Sequence, residues 1–282
     1  MICATTTRTI TLTGELEIRM EEIPGAQTLN LLRAQLVDAL ATCPGFRPEY
    51  PVTTSRRGGA KDGLARRIDH TLLKQGATRQ DVLRRCAEAR NGAVWSVCVP
   101  SNRVSLGAGQ LAGSTVKVCT VVGFPFGYAT TEAKVAETRT AVQQGAAEID
   151  MVVPVGLLND GDWTAVFQDI RSVVEAADQK LVKVILETSE LSLESKIIGS
   201  YIACFAGAGF LKTSTGFASG GAVLDDLHIL RTIAGDKIGV KASGGIRTTE
   251  FALACLKAGA DRLGASATGA ILGKQQGANA DY

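Results

Sequence analysis

An α/β fold, a (β/α)8 TIM barrel behind an N-terminal extension, is what three observations on these 282 residues predict. Short apolar runs alternate with longer amphipathic segments from about residue 61 onward, the pattern of βα units on a parallel sheet. The candidate strands number eight, which is the count that closes such a barrel. No G-x-G-x-x-G follows the early strands, which argues against a dinucleotide-binding sheet.

Residues 1–60 differ from the rest and read as an extension that is partly disordered or holds one short helix. Four of the seven prolines fall there, at Pro24, Pro44, Pro48 and Pro51. Leu29, Leu32, Leu36 and Leu40 recur at helical spacing and predict a helix over Thr28–Ala41. The alternation Thr9-Ile10-Thr11-Leu12 allows a strand within 7–20, and Thr53–Gly59 reads as a linker. Residues 61–282 then form the barrel. Its strands are predicted at Ile68–Leu72, Ser96–Val99, Lys117–Val122, Glu148–Val153, Leu181–Glu187, Phe210–Thr213, Gly239–Ala242 and Arg262–Ala265. Helical segments between them include Thr131–Gln144, Trp163–Ala177, Ser192–Ala206, Leu224–Ile233 and Thr249–Ala258.

Composition narrows the class of protein. Hydrophobic residues at 45% and charged residues at 21% suit a soluble globular chain with a sizeable core. A formal net charge of +2 and an aromatic content of 5% argue against nucleic acid and a membrane surface as partners. The seven cysteines are scattered, with no CxxC spacing, and read as free thiols of a reducing compartment. Neither a membrane span nor a secretory signal is visible, so a cytoplasmic location is expected. The two histidines and the cysteines show no metal-ligand spacing, and neither metal nor cofactor is expected. His70 and His228 read as structural, and Cys98 and Cys119 as small core filler.

Chemistry in such barrels lies at the C-terminal ends of the strands. Asp69, Asp150, Lys183, Glu187, Lys212 and Lys241 fall on or at the ends of predicted strands. Alternation puts Glu148, Asp150 and Val152 on one face, and likewise Lys183, Ile185 and Glu187. A buried ion network accounts for such a set without any chemistry. Buried ion pairs stabilise poorly compared with apolar packing, however, so several together suggest a site. Leu211-Lys212-Thr213-Ser214-Thr215-Gly216 and Val240-Lys241-Ala242-Ser243-Gly244-Gly245 each deliver a lysine at the end of an apolar strand. Two ammonium groups brought together depress each other's tendency to stay charged, one route to a nucleophilic amine. The glycine-rich turns after the last two strands suit phosphate, although plain turn glycine is the alternative.

These stretches together amount to a resemblance. Ile68-Asp69-His70-Thr71-Leu72-Leu73, Val97-Cys98-Val99, Val122-Gly123-Phe124-Pro125-Phe126-Gly127, Glu148-Ile149-Asp150-Met151-Val152, Lys212-Thr213-Ser214-Thr215-Gly216-Phe217 and Lys241-Ala242-Ser243-Gly244-Gly245-Ile246-Arg247-Thr248 resemble the bacterial deoxyribose-phosphate aldolases, in order, over roughly residues 64–282. The resemblance implies a metal-free class I aldolase that cleaves 2-deoxyribose 5-phosphate to glyceraldehyde 3-phosphate and acetaldehyde, reversibly. It implies Lys212 as the Schiff-base amine, Lys241 as the neighbour that keeps it partly neutral, and Asp150 as the group that moves protons through a water. Asp69 and Lys183 match supporting polar residues of the substrate pocket. Gly216, Gly244, Gly245 and Ser266 match phosphate-contacting positions. The partners implied are a small phosphorylated sugar and acetaldehyde, with a homodimer allowed. Two positions depart from the pattern: Ala267 follows Ser266 where the family often has a second serine, and Phe217 stands where some members have lysine. Met20 is an alternative start, and Tyr282 is similar to the family's mobile C-terminal tyrosine. A phosphosugar isomerase or epimerase with a carboxylate or histidine base, and a non-catalytic sugar-phosphate barrel, are the competing readings.

Overall fold

The structure, a computed structural model, describes residues 25–50 and 63–273. The expected strand within 7–20, the linker at 53–59, Met20 and Tyr282 lie outside the described residues. Eight strands run in chain order and close on themselves: β1 Ile68–Thr71, β2 Ser96–Val99, β3 Lys117–Val122, β4 Glu148–Val152, β5 Leu181–Ile185, β6 Phe210–Lys212, β7 Gly239–Ser243 and β8 Arg262–Ala265. Every neighbouring pair is parallel, including β1 with β8, as closure requires.

Helices α2 Arg79–Gly92, α3 Val104–Leu111, α4 Thr131–Gln143, α6 Trp163–Ala176, α7 Leu193–Ala206, α8 Leu224–Ala234 and α9 Thr249–Lys257 form the outer ring, with the short α5 Val155–Asn159 and α10 Thr268–Ile271 beside it. Their starts are legible in the residues. Thr78 and Asp81 form a reciprocal capping box on α2, and Thr130, Ser192 and Thr248 cap α4, α7 and α9 through their hydroxyls.

Four predicted strands end early, the first and the fourth by one residue, at Thr71 and Val152. The fifth stops at Ile185 because Glu187 adopts a left-handed backbone (φ +57°), so Glu187 leaves the ladder that it was expected to extend. The sixth stops at Lys212, after which Thr213 is held by its own hydroxyl on the Ser243 carbonyl.

Helix α1, Ala26–Leu40, forms where the leucine spacing predicts it. It lies on α6 and α7, burying Leu29, Leu36 and Leu40 in the same core as the barrel helices. Phe46 stands edge-on to Phe167 and Phe205, and Tyr50 packs on Phe205 while donating its hydroxyl to the Ile233 carbonyl. The described part of the extension is therefore a third layer over one side of the barrel.

Candidate active site

Strand register, which sequence spacing does not reveal, decides which inward side chains meet. Lys212 pairs with Lys241 across β6 and β7, Asp150 with Lys183 across β4 and β5, and Lys241 with Arg262 across β7 and β8. Asp150 is the hub. Its Oδ2 accepts from Lys212 Nζ and Lys241 Nζ, each at 2.8 Å, and its Oδ1 accepts from Lys183 Nζ at 2.8 Å and Cys119 Sγ at 3.2 Å. A second tier lies below. Asp69 takes Lys241 at 2.6 Å, Arg262 at 2.9 Å and the Ser96 hydroxyl at 2.7 Å. Glu148 takes Lys183 at 2.6 Å and Trp95 Nε1 at 2.7 Å. Arg262 lies 4.1 Å from the Trp95 ring centroid and 5.4 Å from that of Phe210, so aromatic faces cover the guanidinium edges that no acceptor meets.

These charges are deep in the barrel, where an unpaired ion is costly. Burial would push the Asp150 carboxyl up, but Lys183, Lys212 and Lys241 outweigh it and hold the carboxyl well below the carboxylate range. Asp69 is likewise held low against burial, by Lys241, Arg262 and Lys183. Burial would lower Lys241, yet Asp150 and Asp69 prevail and raise it, the repulsion from Lys183 being smaller. Lys183 is raised in the same way. The expectation that two lysines depress each other therefore fails for Lys241. Asp150 and Asp69 favour its charged form.

Lys212 differs from its neighbours. Among the described residues it makes one ion pair, with Asp150, where Lys241 makes two. It also lines a cavity of about 430 Å³ together with Thr71, Thr215, Gly216, Gly244 and Ser266. Gly264 makes room for this arrangement, since a Cβ there would come within 3.1 Å of Lys241 Cε. Asp69, Lys183 and Lys241 do not line the cavity; they lie in the layers beneath and hold Asp150. Gly245 is exposed and off the cavity lining, whereas Gly244 is on it. Ala267 precedes α10, and Phe217 forms part of the cavity wall, edge-on to Phe124 at 5.3 Å.

Sequence reasoning missed several members of the site. Arg262 and Trp95 close the lower tier around Glu148, which alternation had put on the Asp150 face without a role, and Cys119 is a hydrogen-bond donor to Asp150 instead of mere filler. Among the described residues, Cys98, Cys119 and Asp150 are the group whose ligand atoms gather within 4.8 Å. That carboxylate already receives three ammonium groups, which would oppose a metal cation there. His70 points away from Asp69. Its Nδ1 meets Thr268 Oγ1 at 2.7 Å and its Nε2 meets Glu88 at 2.9 Å, so it ties β1 to α2 and α10 as a structural histidine.

Residues 64–276 match the family described as DeoC/LacD family aldolase. A deoxyribose-phosphate aldolase of Bacillus cereus (strain Q1) is 49% identical over 221 residues, covering 78% of this chain and 99% of that relative. One of Thermotoga petrophila is 47% identical over 221 residues, covering 78% of this chain and 89% of that relative. Among solved structures, a tetrameric deoxyribose phosphate aldolase from Aeropyrum pernix superposes with a TM-score of 0.71 at 31% identity, covering 89% of this chain and 97% of that one.

Proposed function

The chain belongs to the DeoC/LacD family of aldolases, and from that membership we propose that it cleaves 2-deoxyribose 5-phosphate to glyceraldehyde 3-phosphate and acetaldehyde, and runs the reverse condensation, through a Schiff base on Lys212. The observation that carries this reading is the lysine at the cavity floor whose carboxylate partner is shared with a second, buried lysine. Among the described residues, the ion-paired groups of the barrel interior are Lys183, Lys212, Lys241 and Arg262 against Asp69, Glu148 and Asp150, one cation in excess. When Lys212 gives up its proton, Asp150 still has Lys183 and Lys241, so no carboxylate is left without a partner.

The neutral amine attacks the C1 aldehyde of the open-chain sugar, and loss of water from the carbinolamine leaves a protonated imine. Removal of the C3 hydroxyl proton then lets the C2–C3 electron pair move into the iminium. Glyceraldehyde 3-phosphate departs, and an enamine remains. Protonation at C2 and hydrolysis of the imine release acetaldehyde and regenerate Lys212. In this reading Asp150 moves protons through a water, and Lys241 fixes the charge beside the nitrogen. Asp69 and Lys183 hold these two in place, and Gly216, Gly244 and Ser266, which line the cavity, receive the phosphate, the expected contribution of Gly245 being dropped because it lies off that lining.

An isomerase or epimerase reading would need a base facing the cavity. His70 faces α2 instead. For assembly a homodimer stays the expectation, and light scattering at several concentrations measures it. The decisive experiment is borohydride reduction in the presence of acetaldehyde, followed by peptide mass mapping. We expect a two-carbon adduct on Lys212. An adduct on Lys183 or Lys241 would overturn the assignment, and no adduct would overturn the aldolase reading.

A further inference from the structure

Glu187 is the strand-end acid that the imine chemistry leaves unused, and its setting is costly. It is 5% exposed, and it occupies the left-handed region (φ +57°, ψ +62°), which residues other than glycine seldom enter. Burial pushes its carboxyl up, against the Thr215 hydrogen bonds and the Lys212 charge that favour its ionised form, with Glu190 of the following turn opposing them. A side chain kept in such a place needs a partner that requires it there.

That partner is the β6–α8 loop. The Thr215 amide lies 3.2 Å from each Glu187 carboxylate oxygen, and the Thr215 hydroxyl donates a short hydrogen bond to Oε2. The same hydroxyl accepts from the Phe217 amide at 3.0 Å. Thr215 is thus held from both sides, and Gly216 (φ +87°) turns the chain between two fixed points. Thr215, Gly216 and Phe217 are one wall of the cavity. The Lys212 end of the loop is anchored separately, by Thr213 and Ser243, which exchange hydrogen bonds at 3.1 Å across β6 and β7.

We infer that Glu187 is a positioning residue that clamps the Thr215–Phe217 wall in its substrate-binding shape and so sets affinity for the phosphorylated end of the sugar, separately from the imine chemistry at Lys212. This inference rests on the aldolase reading, and on Gly216 as part of the phosphate cradle. Left-handed strain at position 187 aims the carboxylate at the loop. Because the Thr213–Ser243 anchor does not use the Glu187 side chain, and the Thr188 amide also holds the Thr213 carbonyl at 3.0 Å, loosening the clamp leaves the amine in place while the wall relaxes.

The test uses the full chain as Glu187→Ala, Glu187→Gln, Thr215→Val and the Glu187→Ala/Thr215→Val double variant. Each is assayed with 2-deoxyribose 5-phosphate and with 2-deoxyribose, and each is trapped with borohydride and acetaldehyde. For Glu187→Ala we expect KM for the phosphorylated sugar to rise about tenfold with kcat lowered less than about threefold, the split that marks lost binding. On the unphosphorylated sugar kcat/KM should change less than about twofold, and trapping at Lys212 should persist. Glu187→Gln, which keeps an acceptor for the Thr215 amide but loses one for the hydroxyl, should fall between. Thr215→Val should reproduce the KM effect, and the double variant should be no worse than either single one, because they break the same bond. Equal losses on both sugars, loss of the Lys212 adduct, or a lowered Tm with KM unchanged would each overturn the clamp. Failure of the unmodified chain to trap acetaldehyde would instead overturn the aldolase reading, and the clamp with it.

Discussion

Lys212 and Lys241 stand side by side on one carboxylate oxygen, and what separates them is the number of anions each can call on. Lys241 answers to Asp69 as well as Asp150, so it stays charged, and its charge is what Lys212 experiences. Replacing Lys241 with leucine removes one cation from a set that holds one in excess. We therefore expect Lys241→Leu to fold, to lose roughly a hundredfold or more in kcat, and to shift the pH profile of borohydride trapping to the alkaline side. A superimposable trapping profile in the variant would show that Lys241 acts on proton transfer alone. Asp150→Asn leaves three ammonium groups around a neutral amide, so it should cost about 3–5 kcal/mol of stability as well as activity. Urea unfolding of the purified variant measures that cost.

At the level of elements, α1 is outside the barrel's closed sheet yet inside its core. Leu36 and Leu40 are fully buried against α6 and α7, and the Phe46 and Tyr50 rings cover Phe205. All of this lies on the helix ring, away from the cavity at the strand ends. Leu36→Ala should accordingly cost about 2–5 kcal/mol, the usual range for a buried leucine, with kcat unchanged. Removing residues 1–60 should leave the Lys212 chemistry intact at low temperature and lower Tm, because α7 would then expose its outer apolar residues. Calorimetry beside a room-temperature aldol assay separates the two effects. A truncated chain as heat-stable as the full one would show that α1 merely rests on the barrel.

For the whole molecule, the direction of each pKa shift sets how stability follows pH. A carboxyl held low, as in Asp69 and Asp150, stabilises the fold above its unfolded value near pH 4, and that contribution drains only as pH falls through the depressed value. A lysine held high, as in Lys183 and Lys241, stabilises fully below about pH 10.4 and loses its contribution as pH rises through the raised value. The charge cluster should thus be neutral to pH between roughly 5 and 9. His70 behaves otherwise. Burial lowers it, Arg85 adding to that effect while Glu88 opposes it, so the unfolded chain takes a proton near pH 6.5 that the folded chain does not. Stability should therefore decline as pH falls from about 7.5 to 5, and the slope should flatten in His70→Gln. Urea midpoints at the two pH values test this, and an unchanged slope in the variant would assign the decline to another group.

Much of this architecture was legible in the residues alone, because local forces write it. Period-two and period-3.6 apolar patterns, hydroxyl caps such as Thr248 and Ser192, and glycine turns report directly on strands, helices and their order. Lys212, Lys241 and Asp150 were legible for a different reason: a charged residue on an apolar strand is costly enough to stand out. Tertiary structure alone decided which inward residues share a layer. Register around a closed sheet brings Arg262 and Asp69 together from 193 positions apart, and Lys241 and Asp150 from 91. It also sinks Asp69 and Lys183 below the cavity, leaves Gly245 outside it, and turns Cys119 toward Asp150. Alternation distinguishes inside from outside, but depth along the barrel axis depends on the stagger of all eight strands at once. The seat of α1 on α6 and α7 is of the same kind, since a leucine stripe shows that a helix has a buried face and is silent on what that face meets.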